Sequence, residues 1–444
     1  MSDRRGVMDW YFKSNLLMRI LVALALGAIA GIVLGFFPAS VKPFVDNTKF
    51  FGDLFIRMLK MVIVPVILFS LVAGSASIAP GRLGRVGVKI MAYYLFTSAL
   101  AVVIGLVFAN IFRPGSGLGI VGNAAVKGKA AAAPTLSEIL LALVPTNPVE
   151  SLAKGDVLPI IVFAMMFGIA ISFVKDSKNE LAAKGADLLY TVCNAAAETM
   201  YKVVGGIMQY APVGVFVLMA IVFAQQGPKV IGPLILVTVT VYIGLLVHLV
   251  GTYGGFLVVW RLSFWRFLKG ANEAMLTAFV TRSSNATLPV TMRVTEEKLG
   301  CPRSMCSFTL PLGATINMDG TAIYLGVCAM FIGYATGQPL NLAQQAMVVL
   351  TATLASIGTA GVPGAGAIML LMVLESVNLK VTEGSAVAAA YAMILGIDAL
   401  LDMGRTCLNV TGDIVGTSIV AKTEKELNLS KWGSAVEKPL DRAA

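Results

Sequence analysis

Long apolar stretches alternate with short polar connections over the first 260 residues of the chain. Each stretch is about as long as a helix needs to cross the roughly 30 Å hydrocarbon core of a bilayer. This half of the sequence therefore predicts six membrane crossings between residues 15 and 260, and the proline-interrupted region from Leu136 to Pro159 is a candidate for a broken span. The clearest apolar stretches are Leu16–Phe37, Leu54–Ala73, Ile90–Phe112, Leu158–Val174 and Leu234–Trp260.

The pattern changes from about residue 264 onward, where the apolar segments carry polar and glycine- or proline-rich interruptions at their centres. Two of these interruptions are alike, because Thr281–Pro289 and Ser356–Gly366 are both turns rich in Ser, Thr or Gly that contain a proline. A hydrophobic segment that bends at its middle can enter and leave the membrane on the same side, and non-helical backbone at that depth is tolerated only against protein or an aqueous cavity. Two such hairpins in corresponding positions predict an inverted repeat with a binding site near its centre. The alternative, that both turns are loops between full spans, agrees less well with the positions of the basic residues.

Charged residues are few, and membrane topology explains where they lie. The 444 residues are 57% hydrophobic and only 13% charged, about half the charged fraction of an average soluble domain. The net charge of +10 comes from basic residues scattered over short connections, so we expect cytoplasmic loops and no nucleic-acid partner. The predicted fold is an all-α membrane protein of the cell membrane, with eight transmembrane helices, two re-entrant helical hairpins that form inverted repeats, and both termini in the cytoplasm. The basic clusters are Arg4/Arg5/Lys13, Arg82/Arg85/Lys89, Lys175/Lys178/Lys184, Arg261/Arg266/Lys269 and Lys422/Lys425/Lys431.

The last hydrophobic segment, roughly Ser385 to Ala421, carries a stripe of charged and polar residues. Their spacings of four, three, four and four place them on successive turns of one helix face. Each charge in a membrane helix costs about 2.5 to 3.5 kcal/mol on insertion scales, so several are kept only where they face a cavity, a partner or a ligand. The stripe is therefore a predicted site, and it consists of Asp398, Asp402, Arg405, Asn409 and Asp413.

A second polar island lies between the predicted hairpins. Asp319 is the only formally charged residue between Ser304 and Leu374, and Asn317 and Gly320 beside it are poor helix formers. We expect the helix to be unwound here, which frees carbonyl oxygens that suit an alkali cation together with a carboxylate and an amide oxygen. The alternative is a structural helix break, which leaves a buried Asp319 without an explanation.

The two islands together are negatively charged. Asp319 and the three aspartates of the stripe face a single Arg405, which leaves a formal charge of minus three. A low-dielectric interior does not hold that charge unpaired, so bound cations or protons must compensate it. His248, the only histidine, is predicted to have a structural role outside this charged core, and the five cysteines lack the spacing of a metal site.

Several ordered motifs resemble those of one family. They are Asn317-Met-Asp-Gly-Thr321, Arg282-Ser-Ser284, Gly361-Val-Pro-Gly364, and Asp402-Met-Gly-Arg-Thr406 with Asn409 and Asp413. Over nearly the whole chain the sequence is similar to the dicarboxylate/amino acid:cation symporters, which include the glutamate transporters and the archaeal aspartate transporters. The resemblance implies a homotrimer in which a transport core moves like an elevator against a static scaffold. It assigns residues 1–263 to six spans that hold the scaffold and part of the moving unit, 264–424 to the core with both hairpins and the last two spans, and 425–444 to a cytoplasmic tail.

The resemblance also implies roles for individual residues. Arg405 pairs with the side-chain carboxylate of the substrate with help from Thr321, Asp402 takes the amino group, and Asn409 holds the α-carboxylate. The hairpin tips close over the substrate with backbone N–H groups, and the glycine-rich second hairpin is the expected gate. The implied substrate-binding residues are Ser283, Ser284, Thr321, Ala360, Gly361, Val362, Pro363, Gly364, Asp402, Arg405, Thr406 and Asn409.

Three sodium sites are implied in the same way, with Asp398 in a supporting role. The first consists of Gly313, Asn317, Asn409 and Asp413. The second, which forms as the second hairpin closes, consists of Thr315, Met318, Ser356, Ile357 and Thr359. The third consists of Tyr94, Thr97, Ser98, Asn317 and Asp319.

The resemblance finally implies a substrate class and a coupling ion. Arg405 with Asp402 implies an acidic amino acid, aspartate or glutamate, rather than a neutral amino acid or a plain C4-dicarboxylate. Met318 implies coupling to Na⁺, because proton-coupled members tend to carry leucine there. A proton-coupled glutamate/aspartate or C4-dicarboxylate symporter is the main alternative. An ion channel or an enzyme is disfavoured, since a paired Asp402 and Arg405 suit a bound zwitterion and a nucleophile or metal centre is missing.

Overall fold

The computed structural model describes residues 16–76, 83–120, 141, 144–357, 359, 361–382 and 384–433. Within these ranges the regular structure is helical and contains no strand, which confirms the all-α prediction. The N-terminal helices are α1 (Leu16–Gly35), α2 (Pro38–Met61), α3 (Ile63–Ala76), α4 (Val88–Phe112), α5 (Pro148–Lys154), α6 (Val157–Lys175), α7 (Glu180–Gln226), α8 (Ile231–Val247) and α9 (Gly254–Val259). The C-terminal helices are α10 (Phe264–Thr281), α11 (Ser284–Glu297), α12 (Arg303–Ile316), α13 (Asp319–Ala335), α14 (Leu342–Ile357), α15 (Ala365–Ser376) and α16 (Ala386–Thr423).

Six helical runs in the described ranges are long and apolar enough to cross a membrane. One of them, Glu180–Val259, has 80 residues, about 120 Å at 1.5 Å per residue, so it provides length for more than one crossing. It bends at Gly227, which has a φ of +70° and separates α7 from α8. With this division and the shorter α6, the helices offer a place for each of the eight predicted spans, whose number stays a prediction. The six runs are Met18–Gly35, Pro38–Ala76, Arg85–Phe112, Glu180–Val259, Arg303–Ala335 and Ala386–Thr423.

Helix α7 offers a place for the sixth predicted crossing, which none of the apolar stretches recognised in the sequence covers. It has 47 residues and is capped by Asn179, whose side chain accepts hydrogen bonds from the N–H groups of Leu181 and Ala182 at 3.1 and 3.2 Å. The first half of α7 carries several charged residues, so a search for long apolar stretches does not recognise it as a span. In the candidate broken span, only part of which is described, α5 ends at Gly155 in a left-handed conformation, and α6 follows at once.

The two predicted hairpins are present as pairs of short helices. We call α10 with α11 hairpin 1 and α14 with α15 hairpin 2. Their arms have 18, 14, 16 and 12 residues, which is about 18 to 27 Å of helix and less than the hydrocarbon thickness. Each hairpin is followed by a long helical element, α12–α13 in one case and α16 in the other, so the same order of elements occurs twice.

The helices pack in two groups. In the first, α1 lies along α7, and α2, α3 and α6 pack around them. In the second, α4 lies along α13, while α16 crosses α10, α13 and α12. Helix α8 contacts α4, α13 and α16, so two helices from the first half of the chain pack with the C-terminal half. The outward faces of α1, α4 and α8 carry exposed apolar side chains such as Leu26, Val103 and Ile235, as expected for contact with lipid.

The segment after α16 folds back onto hairpin 1. Asn428 donates its backbone N–H to the Gly300 carbonyl at 2.9 Å, and Trp432 donates its indole N–H to the Ser263 carbonyl at 3.2 Å. The Trp432 ring is buried and lies 6.1 Å from the ring of Phe267. Of the predicted tail 425–444, the part up to residue 433 is therefore docked at the base of hairpin 1, and residues 434–444 lie outside the described ranges.

Candidate functional site

The charged stripe lies on one continuous helix, as predicted. Helix α16 has 38 residues, and Ser385 caps its first turn by accepting a hydrogen bond from the Ala388 N–H at 3.0 Å. All five residues of the stripe are buried, although three of them are formally charged carboxylates and one is a guanidinium. Charges in such a position need partners or ligands, so their contacts define the site.

Arg405 is fully buried and is held by two aspartates of its own helix. One guanidinium nitrogen donates to Asp398 Oδ1 at 2.9 Å, and the other donates to Asp402 Oδ1 at 2.8 Å. The guanidinium carbon also lies 3.9 Å from the centre of the Tyr324 ring, in a cation–π contact. Sequence reasoning gave Asp398 a supporting role and did not find Tyr324. Together these contacts fix the direction of the guanidinium in the site.

A small cavity of about 10 Å³, roughly room for one water molecule, lies beside this cluster. Many of the predicted substrate-binding residues line it, while Ser283, Pro363, Gly364 and Arg405 do not. Arg405 lies behind Gly366, which is in contact with the guanidinium. A ligand larger than a water molecule therefore has no room beside the guanidinium in this arrangement. The lining residues are Arg282, Ser284, Met318, Thr321, Thr359, Gly361, Val362, Ala365, Gly366, Asp402, Thr406 and Asn409.

The tips of the two hairpins touch each other above the cavity. Ser283 donates its hydroxyl hydrogen to the Gly361 carbonyl at 2.6 Å, and Asn285 donates its backbone N–H to the same carbonyl at 3.3 Å. Gly364 has a φ of +84° and lies against Met208 of α7. Ala360, a predicted binding residue, lies outside the described residues. Hairpin 2 thus contacts hairpin 1 on one side and the first helix group on the other.

The helix break between α12 and α13 is present where the sequence predicted it. Asn317 and Met318 leave the helical conformation, and Asn317 donates its side-chain amide hydrogen to Asp413 Oδ1 at 3.0 Å. Asn409 accepts the Gly320 N–H at 2.8 Å and donates to the Met318 sulfur at 3.0 Å. The break and the polar stripe are therefore joined by hydrogen bonds.

The residues of the first predicted sodium site lie together in this region. Gly313, Asn317 and Asp413 are in contact, and Gly313 also lies beneath the hydroxyl of Tyr94, which donates to the Thr309 carbonyl at 3.0 Å. Asn409 joins them through its own carbonyl, which accepts from the Asn317 amide at 3.4 Å. Their carboxylate, amide and carbonyl oxygens are hard ligands of the kind that alkali cations prefer.

The third predicted sodium site is adjacent and equally compact. Ser98 donates to Asp319 Oδ1 at 2.6 Å, and Thr97 donates to Asn317 Oδ1 at 3.4 Å. All four side chains are buried. Tyr94 lies nearby over Gly313, so helix α4 brings three residues to the α12–α13 break across its long interface with α13.

The second predicted sodium site is less well assembled. The hydroxyls of Thr315, Ser356 and Thr359 donate to carbonyls of their own helices, at 3.0, 2.7 and 2.8 Å. Met318 donates no such bond and accepts from Asn409, while the Ile357 side chain lies outside the described residues. These contacts do not join the α12 residues to those of hairpin 2.

His248 belongs to the charged core, so its predicted position outside that core was wrong. Its Nε2 atom lies 3.1 Å from Asp319 Oδ2, and the Tyr253 hydroxyl donates to the same oxygen at 2.7 Å. Both side chains are fully buried and pack edge to face, 4.7 Å apart. They lie at the two ends of a π-helical turn, His248–Tyr253, and helical periodicity in the sequence gives no signal for such a turn.

A larger cavity of about 630 Å³ lies between the two helix groups. Its walls come from α3 and α7 on one side and from hairpin 1, α12 and the tip of hairpin 2 on the other. Thr359 and Val362 line both this cavity and the small one, so the tip of hairpin 2 separates them. Glu198 of α7 is the only formally charged residue in its described lining.

Comparison with known proteins agrees with this arrangement. The model of the sodium:dicarboxylate symporter family matches residues 16–423. The chain is 34% identical to a proton/glutamate-aspartate symporter of Escherichia coli (strain K12), over 94% of this chain and 95% of the relative.

Two further relatives have other substrates or ions in their names. A proton/sodium-glutamate symport protein of Bacillus caldotenax is 33% identical over 94% of this chain and 97% of its own. A C4-dicarboxylate transport protein of Rhizobium johnstonii is 35% identical over 98% of this chain and 94% of its own. These are transporters and not enzymes. The buried carboxylates, the paired arginine and the two hairpins thus belong to a membrane symporter, and the chain is a member of the sodium:dicarboxylate symporter family.

Proposed function

We propose that this protein takes up an acidic amino acid, aspartate or glutamate, together with Na⁺. The observation that carries the proposal is the buried pair formed by Asp402 and Arg405 beneath the hairpin tips. Arg405 supplies a planar fork that matches a carboxylate, and Asp402 supplies a carboxylate that matches an ammonium group. A ligand that carries both groups satisfies both residues.

The unused oxygen of Asp402 supports an amino group on the substrate. Asp402 Oδ2 is buried and has no hydrogen-bond partner among the described residues, and Asp402 lines the small cavity. A buried acceptor without a donor costs about 1 to 3 kcal/mol, more for a charged group. The ammonium of an amino acid removes this cost, whereas a plain C4-dicarboxylate brings a second negative charge to the same place.

The charge balance of the core supports coupling to cations. Arg405 forms ion pairs with Asp398 and Asp402, Asp319 and Asp413 are buried as well, and the substrate adds further negative charge. The oxygen-rich clusters around Asp413 and Asp319 suit Na⁺. The second candidate is proton coupling, because the names of two relatives include protons and the ordering of the second predicted sodium site is incomplete.

Movement of the core against a scaffold is part of the same proposal. The division of the helices into two groups, with a cavity of about 630 Å³ between them, suits an elevator-type mechanism in which hairpin 2 opens the site. Homotrimer formation, cytoplasmic termini and location in the cell membrane are part of the proposal through the family.

Uptake by reconstituted protein tests the proposal. Proteoliposomes are loaded with potassium buffer, and radiolabelled aspartate uptake is measured with an inward sodium gradient, an inward proton gradient, or neither. We expect accumulation with the sodium gradient alone, and competition by glutamate. Accumulation driven only by the proton gradient supports the second candidate, proton coupling. Succinate uptake that exceeds aspartate uptake contradicts the proposal of an amino-acid substrate.

A further inference from the structure

We infer that His248 determines how strongly the Asp319 site binds sodium, by occupying a carboxylate oxygen that a cation would otherwise take. This rests on the proposed sodium coupling and extends it to a residue outside the implied ligand sets. His248 is a positioning residue here, since it acts through Asp319.

The π-helical turn is what brings two donors to one oxygen. His248 and Tyr253 are five residues apart, and in an α-helix that spacing places two side chains about 140° apart around the axis. A π-helical turn bonds residues i and i+5, so its first and last residues lie on one face, as residues i and i+4 do in an α-helix. Both reach Asp319 Oδ2 as a result, at 3.1 and 2.7 Å.

The acceptor capacity of Asp319 then limits what a cation can use. A carboxylate has about four lone-pair positions, two on each oxygen. The form of Asp319 that binds a cation is the carboxylate, which only accepts hydrogen bonds, so in that form both positions on Oδ2 are taken, one by the Tyr253 hydroxyl and one by an N–H at His248 Nε2. On Oδ1 one is taken by Ser98 at 2.6 Å. A single position remains, so a cation at this site is bound by one oxygen of Asp319 and not by two.

Removal of the His248 donor therefore opens the second oxygen to the cation. We expect His248→Leu to lower the sodium concentration for half-maximal aspartate binding about fivefold. His248→Gln keeps a side-chain N–H donor of similar reach, so its sodium dependence should stay close to that of the unaltered protein. Tyr253→Phe removes the other donor from Oδ2 and should shift sodium dependence in the same direction as His248→Leu.

The measurement is aspartate binding to the purified full-length protein, titrated with sodium chloride against choline chloride at constant ionic strength. Leu257→Ala is the control for general destabilisation, because Leu257 is a fully buried residue of α9 whose apolar side chain cannot donate a hydrogen bond to Asp319. It should lower the melting temperature and leave the sodium dependence unchanged. An unchanged or raised sodium requirement in both His248→Leu and Tyr253→Phe overturns the inference.

The outcome for the unaltered protein is read separately. If its aspartate binding ignores sodium, the proposed coupling fails, and the inference then requires that His248→Leu acquire a sodium dependence. If neither protein responds to sodium, the inference fails as well. If aspartate binding to the unaltered protein depends on sodium, and His248→Leu and Tyr253→Phe show the same sodium dependence, the inference fails while the proposed coupling stands.

Discussion

Hairpin 1 and hairpin 2 have the same topology but are held in different ways. The arms of hairpin 1 are joined at their base by ion pairs from Glu273 to Arg293 and Lys298, and the segment up to Trp432 docks on that base. Among the described residues, the arms of hairpin 2 are joined near their base by neutral hydrogen bonds, such as that from Gln344 to the Val377 carbonyl at 3.3 Å, and the Lys60 ammonium donates to the Val381 carbonyl just after the hairpin.

The tips differ in the same sense. Helix α11 is capped by Ser283, whose side chain accepts the Ala286 N–H at 3.1 Å. Helix α15 has Gly364 at its capping position, in a left-handed conformation and without a side chain that could cap the helix. A capped tip on an anchored base is rigid, whereas an uncapped glycine turn adopts other conformations easily. We therefore expect hairpin 2 to be the part that opens and hairpin 1 to be the surface against which it closes.

The largest effect is expected from the group that both hairpins enclose. Arg405→Cys removes the guanidinium and leaves two buried aspartates without their partner, so aspartate affinity should fall at least about 100-fold, from the loss of one or two charged hydrogen bonds. Calorimetric titration measures the loss. Neutral amino acids such as serine, tested in parallel, report whether the variant still folds and closes. Retained aspartate affinity would refute the role of Arg405 as the carboxylate partner.

A smaller but clear effect is expected at the tip of hairpin 2. Gly364→Ala places a side chain at a φ of +84°, which costs about 1 to 2 kcal/mol, so aspartate affinity should fall roughly 5- to 30-fold. The matched control is Gly205→Ala in α7, where an added Cβ has no neighbour within 4 Å. The control should bind normally. Equal affinities of the two variants would mean that the left-handed turn is unimportant for closure.

The corresponding change in hairpin 1 should matter less. Ser283→Ala removes a helix cap together with the bond to the Gly361 carbonyl, a loss of about 1 kcal/mol or roughly fivefold in affinity. Ser283→Thr keeps the hydroxyl and should lose little. If Ser283→Ala weakens binding more than Gly364→Ala does, the assignment of fixed and moving hairpins is reversed.

The smallest effect is expected outside both hairpins, at the cytoplasmic end predicted for α16. Lys89 donates to Glu424 at 2.6 Å, and this hydrogen bond lowers the pKa of Glu424 below its ordinary value of 4.5. Because the pKa of Glu424 is lower in the folded state, the contact with Lys89 stabilises the folded protein at pH values above 4.5. That stabilisation is lost as the pH falls through the pKa of Glu424 in the folded state. The melting temperature of Glu424→Gln should therefore be slightly lower than that of the unaltered protein at neutral pH, and the two should be equal in strong acid. A difference that grows in acid would contradict this sign.

The sequence alone predicted the elements whose signals are local. The stripe from Asp398 to Asp413 follows from helical spacing, and the break at Asn317 follows from poor helix formers in an apolar run. Both are confirmed, because each depends on residues that are neighbours in the chain.

The missing parts depend on contacts between distant segments. His248 reaches Asp319 across 71 residues and only because a π-helical turn redirects it, and Trp432 reaches Ser263 across 169 residues. The length of α7 was hidden by charged residues in its first half. Spacing rules describe one element at a time, so they cannot find contacts of this kind.

The pairing of Arg405 with Asp398 and Asp402 has a consequence for how the protein is made. The three residues lie on one helix, seven and three positions apart, so the arginine enters the bilayer with its counter-charges on the same polypeptide segment. Insertion of α16 by the translocation machinery therefore carries a lower electrostatic barrier than an isolated arginine imposes. Asp319 instead has its partners on other segments, and Ser98, His248 and Tyr253 all precede it in the chain and are synthesised before it. In both cases the order of synthesis provides the partner no later than the charge that needs it.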